Sequence, residues 1–500
     1  MKLQITPIIK LTLALLVGII LGRTAVPYIS IRLWELLALC ILWYFAMLIS
    51  YFKNYIKSFG LAAILLFCTL GAFLFQYKYN SVRFAITSDI YHVSGIIDSQ
   101  PVRKAKTWAI RLKTGNGHIM AYFAPDKEIK KGDSIELFSP YGLEPTCNED
   151  NPDSTFHDYH NHLFYSGISA TVYSPSGCWN VIGHPRQNGL VSCLKSIQTV
   201  MVSQYAEAGF KGDEGAIITA ITTGDKSQLT DTLRQQYSRA GVAHVLALSG
   251  FHLNIIYAIL EWVLLLRFAS IRWRNIIRII TILLLTSFTI MAGSPPSLIR
   301  ALIMISIMIV CNILQRDNLS MNSLFLAASL MLMANPMMLF DVGFQLSFMS
   351  MFGLLSIDEP LYGLLHVRKR VSRYFWGAIC STTICTLFTM PLITYYFGYV
   401  SLVSLVSNLV VPLLAIIMMS LSIVWWITAL VPAIQIFIGN TIIYITHQMN
   451  SFTEWLSSFE WAVLPFQSTL AGVVLQYLLI AAVIYLLSII YKRMSFVLKQ

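Results

Sequence analysis

Two histidines and a serine stand inside an apolar run, Gly241-Val242-Ala243-His244-Val245-Leu246-Ala247-Leu248-Ser249-Gly250-Phe251-His252-Leu253-Asn254, that continues to about Leu266. The run is long enough to cross a bilayer. Ionisable groups inside such a segment are costly and usually face a bundle interior or a wet cavity. On a continuous helix His244, Leu248, Ser249 and His252 fall within an arc of roughly 140°. Imidazoles there could contact a solute or carry a proton. In the blander reading His244 sits at the membrane interface and His252 bonds a neighbouring helix. Ser249 and His252, three residues apart, also allow a nucleophile–base pair with Asp341 as orienter, although nothing in the sequence identifies an oxyanion hole.

Other polar residues open apolar segments. Gly293-Ser294-Pro295-Pro296-Ser297 precedes Arg300-Ala301, Asp341-Val342-Gly343-Phe344-Gln345-Leu346-Ser347 begins another span, and Ser407-Asn408 precedes Pro412 in a third. Asp341 and Gln345 share a face if helical, and Arg300 and Asp341 are placed to pair. The alternative for both charges is snorkelling to headgroups. The run His157-Asp158-Tyr159-His160-Asn161-His162 gathers metal-binding residue types, but its spacing matches no standard zinc site; no metal or other cofactor is expected. Six of the eight cysteines lie in or beside apolar helices as packing residues. Cys147 and Cys178, 31 positions apart, are expected to form a structural disulfide if their region is in an oxidising compartment. No phosphate-binding G-x-x-x-x-G-K-[ST] loop is present.

The elements that carry these residues are mostly hydrophobic. The chain has 500 residues, 56% hydrophobic and only 12% charged, with a mean hydropathy of +0.66, about half the charged fraction of soluble domains. It reads as a polytopic α-helical membrane protein with an inserted small all-β domain. Twelve spans are expected, near 8–27, 32–52, 58–77, 244–266, 276–293, 298–315, 321–338, 342–357, 375–397, 402–421, 424–445 and 467–491. Domain boundaries are expected at 1–77 (three helices), 78–190 (β domain), 191–243 (amphipathic helices) and 244–500 (membrane core). The net charge of +11 is no argument for nucleic acid. Residues 78–190 hold eleven Lys/Arg against eleven Asp/Glu, and the excess lies in short loops such as Arg267–Arg278 and Arg368–Arg373. That pattern orients a membrane protein; with this parity both termini are cytoplasmic and 78–190 lie outside.

Within 78–190, strands are expected at 92–98, 107–113, 118–123, 134–139, 169–173 and 179–182, with Gly115-Asn116-Gly117 as a tight turn. Such a set suits a small barrel, OB-like in size. Arg103, Lys104, Lys106, Arg111 and Lys113 cluster around Trp108 without an acid. They are candidates for contact with a single strand, or else a solvated face beside a core Trp. Residues 190–205 and 449–459 look amphipathic and are expected to lie on the membrane surface.

The runs Gly224-Asp225-Lys226-Ser227-Gln228-Leu229 and Tyr237-Ser238-Arg239-Ala240-Gly241 through Asn254 resemble the signature of the ComEC family of competence proteins, inner-membrane channels for incoming single-stranded DNA. The Arg300-Ala301, Gly343-Phe344-Gln345-Leu346-Ser347 and Asn408…Pro412 elements resemble further motifs of that family. So does Asn151-Pro152 through Ile168 in the β domain, which is thought to be OB-like there. Phe251 and Leu253-Asn254 depart mildly from the commoner Leu and Val. The resemblance implies a non-enzymatic channel whose path candidates are Asp225, His244, Ser249, His252, Arg300, Asp341, Gln345 and Asn408. It implies single-stranded DNA and the lipid bilayer as partners, a DNA-delivery protein outside, and a cytoplasmic translocase or single-strand-binding protein; a homo-oligomer stays open. Many members carry a C-terminal metallo-β-lactamase-like domain. This chain has no His-x-His-x-Asp-His run, so nuclease activity is not expected. The rival readings are a transporter of a small anionic or lipid-linked substrate and an intramembrane hydrolase using Ser249 and His252.

Overall fold

The computed structural model describes residues 6–24, 32–83, 92–99, 101–103, 107–115, 117–124, 129, 132–146, 159–183, 189–265, 271–316, 320–363 and 369–497. The chain divides into two compact units, one of residues 4–189 and 325–341, the other of 1–3, 190–324 and 342–500.

The first unit begins with three apolar helices, α1 (Pro7–Thr24), α2 (Leu33–Phe52) and α3 (Ile56–Val82). Helix α1 lies directly against α3: a Cβ on Gly18 would meet the Cys68 carbonyl oxygen, and one on Gly71 the Leu15 carbonyl oxygen. Small residues permit this approach where apolar burial gives little drive between helices in lipid. A sheet follows, built from β1 (His92–Ile97), β2 (Val102–Arg103), β3 (Trp108–Thr114), β4 (Gly117–Phe123), β5 (Ser134–Phe138), β6 (Leu143–Pro145), β7 (Ile168–Ser174) and β8 (Trp179–Gly183). Helix α4 (Tyr159–Tyr165) precedes β7. The order is β6-β7-β4-β3-β1-β5-β8, with β2 on β3, and β4 and β7 run parallel. Alternating side chains bury Ile97, Ile110, Leu112, Ile119, Ala121, Phe123, Ile135, Leu137 and Val172 in one core. The end of β5 also meets the end of β7, where Ser174 Oγ donates to the Phe138 carbonyl at 2.8 Å and Ser139 Oγ to the Tyr173 carbonyl at 2.7 Å.

The second unit is helical. Its elements are α5 (Leu190–Glu207), α6 (Gly212–Thr222), α7 (Asp231–Arg239), α8 (Ala243–Leu246), α9 (Gly250–Leu265), α10 (Ile271–Met291), α11 (Pro296–Ile313), and then the start of α12 (Ser320–Ala334), which belongs to the first unit from residue 325 on. After a 3-10 turn at Pro336–Phe340 come α13 (Val342–Tyr362), α14 (Arg370–Tyr396), β9 (Tyr399–Ser401), α15 (Ser404–Ile427), α16 (Pro432–Ser458), β10 (Val463–Pro465) and α17 (Leu470–Val497). Strands β9 and β10 pair antiparallel. Tyr205 anchors the interior: it stacks on Trp425 at 5.1 Å, meets Phe210 and Trp426 edge-on, and accepts a hydrogen bond from Trp426 Nε1 at 2.9 Å.

Among the described residues seven helices are long and apolar enough to cross a membrane, with three shorter apolar helices besides. The protein is therefore a polytopic membrane protein. Three expectations change. The span expected at 244–266 is interrupted at Ala247–Ser249, so its helical part proper is the 16-residue α9. The pair expected at 402–421 and 424–445 divides later, at Thr428–Val431, because Pro432, having no N–H, opens α16 at a first helical position. Residues 449–458 are the end of that same helix rather than a separate one. Pro412 lies within α15 without ending it.

Candidate functional site

The motif residues assemble around the break between α8 and α9. Thr223 caps α6, and the chain then turns at Gly224, whose φ of +81° suits a residue without a Cβ. A Cβ there would also meet Leu248 Cδ1 at 2.9 Å and Ala292 Cα at 3.0 Å. Asp225 follows, buried, with Oδ1 accepting the Ser227 amide at 3.0 Å and its own amide donating to Thr223 Oγ1 at 3.3 Å. Its carboxylate thus fixes the turn. Helix α7 begins at the Thr230 cap, whose hydroxyl accepts the Leu233 amide at 3.2 Å. Tyr237 on that helix donates to Asn450 Oδ1 at 2.8 Å. Beyond α7, the carbonyl of Ala240 accepts the Ser407 hydroxyl at 2.5 Å. Asn408, beside Ser407 in the first turns of α15, is half-buried.

Helix α8 stops after Leu246, and Ala247 is extended, at φ −92° and ψ 123°. The free carbonyl of Leu248 accepts the Ser297 hydroxyl from the start of α11 at 3.1 Å. Helix α9 then starts with Ser249 as its flanking residue. The Ser249 carbonyl accepts the amides of His252 and Leu253 at 3.1 and 3.4 Å. His252 reaches back: its Nδ1 accepts the Ser249 amide at 3.1 Å and stands 3.1 Å from Ser249 Oγ. This is one half of a capping box, with an imidazole where Glu or Gln is usual. Since a backbone N–H can only donate, the ring proton sits on Nε2. His252 is 1% exposed, and its Nε2 is buried with no hydrogen-bond partner.

Arg300, on α11, lies beside this start. It is 9% exposed. Nη1 donates to the Ser347 carbonyl of α13 at 2.7 Å, and the guanidinium lies 5.8 Å from the centre of the Phe348 ring. Nη2 would stand 3.1 Å from a Cβ on Gly250, and Nε has no partner. Among the described residues no carboxylate pairs with it. Such a buried cation carries a large desolvation cost unless an anion or water meets it. Nearer the start of α13, Gln345 Oε1 accepts the Tyr396 hydroxyl at 3.0 Å.

The expected site is thus redistributed. His252, Ser249, Arg300 and the Gly224–Asp225 turn come together. His244 lies across the break at Ala247 and so shares no continuous helical face with His252, yet it stays near enough for the two imidazoles to interact electrostatically. Arg300 takes the Ser347 carbonyl of α13, while Asp341, its expected partner, belongs to the other compact unit. Asp341 itself precedes α13 on extended backbone, φ −79° and ψ 127°, so it shares no helical face with Gln345. Gly250, Ser297 and the Ser347 carbonyl were not singled out by sequence. Gly250 lay within the quoted run, and only the approach of a second helix reveals its role.

In the sheet the basic cluster separates. Strand alternation places Trp108 with Ile110 and Leu112 toward the core, opposite Arg111 and Lys113. Arg111 Nη2 is 2.9 Å from Asp98 Oδ2, and His118 Nε2 is 3.6 Å from the same oxygen. Burial and the charge of Arg111 hold the His118 imidazole below the usual histidine range, against the opposing pull of Asp98. Lys113 is exposed. Lys104 and Lys106 lie outside the described residues, as does the side chain of Arg103. Cys178 has a free thiol and occupies the β7–β8 turn, where its carbonyl accepts the Phe138 amide at 2.8 Å; its expected disulfide partner, Cys147, lies outside the described residues. His157 and Asp158 lie outside them as well. Among the described residues no group of three or more His, Cys, Asp or Glu could hold a metal ion.

A family model described as Competence protein matches residues 221–490, which include every element of this site. The chain is similar to ComE operon protein 3 of Bacillus subtilis (strain 168), 27% identical over 197 residues. That match covers 39% of this chain and 24% of the relative's length. No solved structure matches the chain.

Proposed function

Because this chain belongs to the ComEC/Rec2 family of competence proteins, we propose that it is an inner-membrane channel that carries single-stranded DNA into the cytoplasm during natural transformation. The observation that carries this reading is the interrupted helix at Ala247–Ser249 with a buried guanidinium beside it and no carboxylate among the described residues to neutralise it. Irregular backbone at membrane depth is tolerated where it is buried in protein or lines a water-filled cavity. A cationic, donor-rich surround suits a polyanion.

On this reading both termini are cytoplasmic and the sheet is outside. The antiparallel β1–β3–β4 run, the parallel β4/β7 pair and the contact between β5 and β7 support an OB-like assignment for it. Its net neutrality and the Asp98–Arg111 pair favour transient rather than tight contact with DNA. Moving each phosphate inward across an inside-negative membrane costs roughly 2.3 kcal/mol per 100 mV. A cytoplasmic translocase or a coupled proton flow must supply that work.

The Ser249–His252 contact also fits the first half of a hydrolase constellation. In such an enzyme the second ring nitrogen is oriented by a carboxylate, whereas His252 Nε2 has no partner. A channel is therefore the better reading. The test is a strain lacking this chain, challenged with labelled donor DNA. Label held outside the cytoplasm and loss of transformants are expected; normal entry of label rejects the reading.

A further inference from the structure

We infer that the start of α9 at Gly250, flanked by Arg300, is a seat for one phosphate group of a DNA strand. The inference rests on the DNA-import reading above and adds to it a defined contact.

Three observations support the seat. First, the Ser249 carbonyl takes the amides of His252 and Leu253, so those of Gly250 and Phe251 precede the first helical acceptor. A helix start of this kind combines free N–H groups with the positive end of the macrodipole, and α9 is 16 residues long. Second, the guanidinium of Arg300 offers its side-on edge. Nη1 is occupied by the Ser347 carbonyl, which leaves Nε unpartnered and Nη2 toward Gly250. Nε and Nη2 together form the parallel fork that matches two oxygens of a phosphate. Third, position 250 lacks a side chain where one could not fit. A Cβ would stand 2.9 Å from the Ala301 Cβ and 3.1 Å from Arg300 Nη2. The absence of a side chain lets α11 bring the guanidinium edge close against the start of α9.

A phosphodiester suits the seat better than a carboxylate of the protein itself. An internal carboxylate would neutralise Arg300 permanently and leave nothing to recognise passing charge. A phosphate can arrive, exchange and leave. The seat holds one negative charge, so successive phosphates would occupy it in turn as the strand advances.

The test uses the purified full chain in phosphatidylcholine nanodiscs, with binding of a fluorescent oligodeoxythymidine as readout. The probe is compared with an oligomer of the same sequence whose backbone is uncharged methylphosphonate. Arg300→Gln and Gly250→Ala are each expected to weaken binding of the charged oligomer by about tenfold or more. Arg300→Lys should weaken it less, since it keeps the charge and loses the fork. The uncharged oligomer should bind weakly and indifferently to all variants. Gly60→Ala, where no atom lies within 4 Å of the added Cβ, serves as the glycine control, and thermal unfolding verifies that each variant is folded. Wild-type affinity for the charged oligomer in both Arg300→Gln and Gly250→Ala overturns the seat. So does loss of oligomer binding when phosphatidylglycerol replaces phosphatidylcholine in the discs, which would make a lipid headgroup the occupant. If the variants bind normally while the deletion strain still holds DNA outside, the seat fails and the import reading stands. If the deletion strain imports DNA normally, the import reading fails whatever the variants bind.

Discussion

Arg111 in the sheet and Arg300 in the helical unit carry the same side chain in opposite circumstances. Arg111 is partly exposed and lies 2.9 Å from Asp98, with His118 closing on the same carboxylate. Arg300 is buried and takes a single backbone carbonyl, with no carboxylate among the described residues beside it. The same contrast holds for the histidines, since His118 faces a carboxylate and the Nε2 of the more deeply buried His252 faces none. An exposed charge that is also paired is ordinary surface chemistry, worth little. A buried donor left open costs stability, and a fold keeps it only where something else is gained. Basic residues in sequence therefore say less than the location of their counter-charges.

The largest expected effect separates the two arginines. Arg300→Gln should reduce transformation by about thirtyfold or more, taking about 2 kcal/mol for a lost charged hydrogen-bonding group. Arg111→Gln should change it by less than about threefold. Transformant counts normalised to the amount of protein in the membrane check both, and equal losses would erase the comparison. Next comes Gly224→Ala, which places a Cβ against Leu248 and Ala292 at a positive φ. It should lower unfolding stability by about 1–3 kcal/mol, measured by thermal unfolding in detergent. His252 offers a sharper division. His252→Asn keeps an acceptor for the Ser249 amide and removes the Nε2 donor, whereas His252→Ala removes both. The Ala variant should be the less stable by about 1 kcal/mol, measured by thermal unfolding in detergent.

A pH effect belongs to the sheet. His118 titrates below its unfolded value in the folded protein. The folded state then binds fewer protons than the unfolded one, so this contribution is full above the unfolded pKa, near 6.5, and is lost as pH falls toward the folded value. His118→Gln should flatten the decline of stability between about pH 6.5 and 5, followed by thermal unfolding across that range. The smallest expected effect is that of Ser249→Ala. A channel should retain most of its transformation, within about threefold, because His252 still accepts the Ser249 amide. Complete loss in a stably folded protein would favour the hydrolase reading.

How far the sequence foretold these features depended on the range of the interactions involved. The strands expected at 92–98, 118–123, 134–139 and 179–182 differ from β1, β4, β5 and β8 by a residue or so, because alternation and turn residues are local signals. Most apolar helices were legible for the same reason. The break at Ala247 was not, since Ala243–Leu253 contains no proline and its one glycine, Gly250, reads as tolerable within a helix. What interrupts the helix is tertiary: the Leu248 carbonyl bonds Ser297, and the Ser249 amide bonds His252. Periodicity puts His244 and His252 on one helical face; the break removes that continuous face but leaves the two within electrostatic reach. The partner expected for Arg300 likewise came from parity, which puts Arg300 and Asp341 both at outer helix ends, whereas the Ser347 carbonyl that it takes depends on how α11 and α13 pack.

The central claim is that a DNA strand passes the start of α9. A photoreactive residue in place of Phe251, which is exposed beside Gly250, allows that passage to be caught in cells taking up labelled DNA. The account predicts a covalent adduct between the chain and internalising DNA, formed during uptake and sharply reduced by Arg300→Gln. Uptake that proceeds normally with no adduct at this position, while the same reagent placed elsewhere in the second unit does capture DNA, would contradict it.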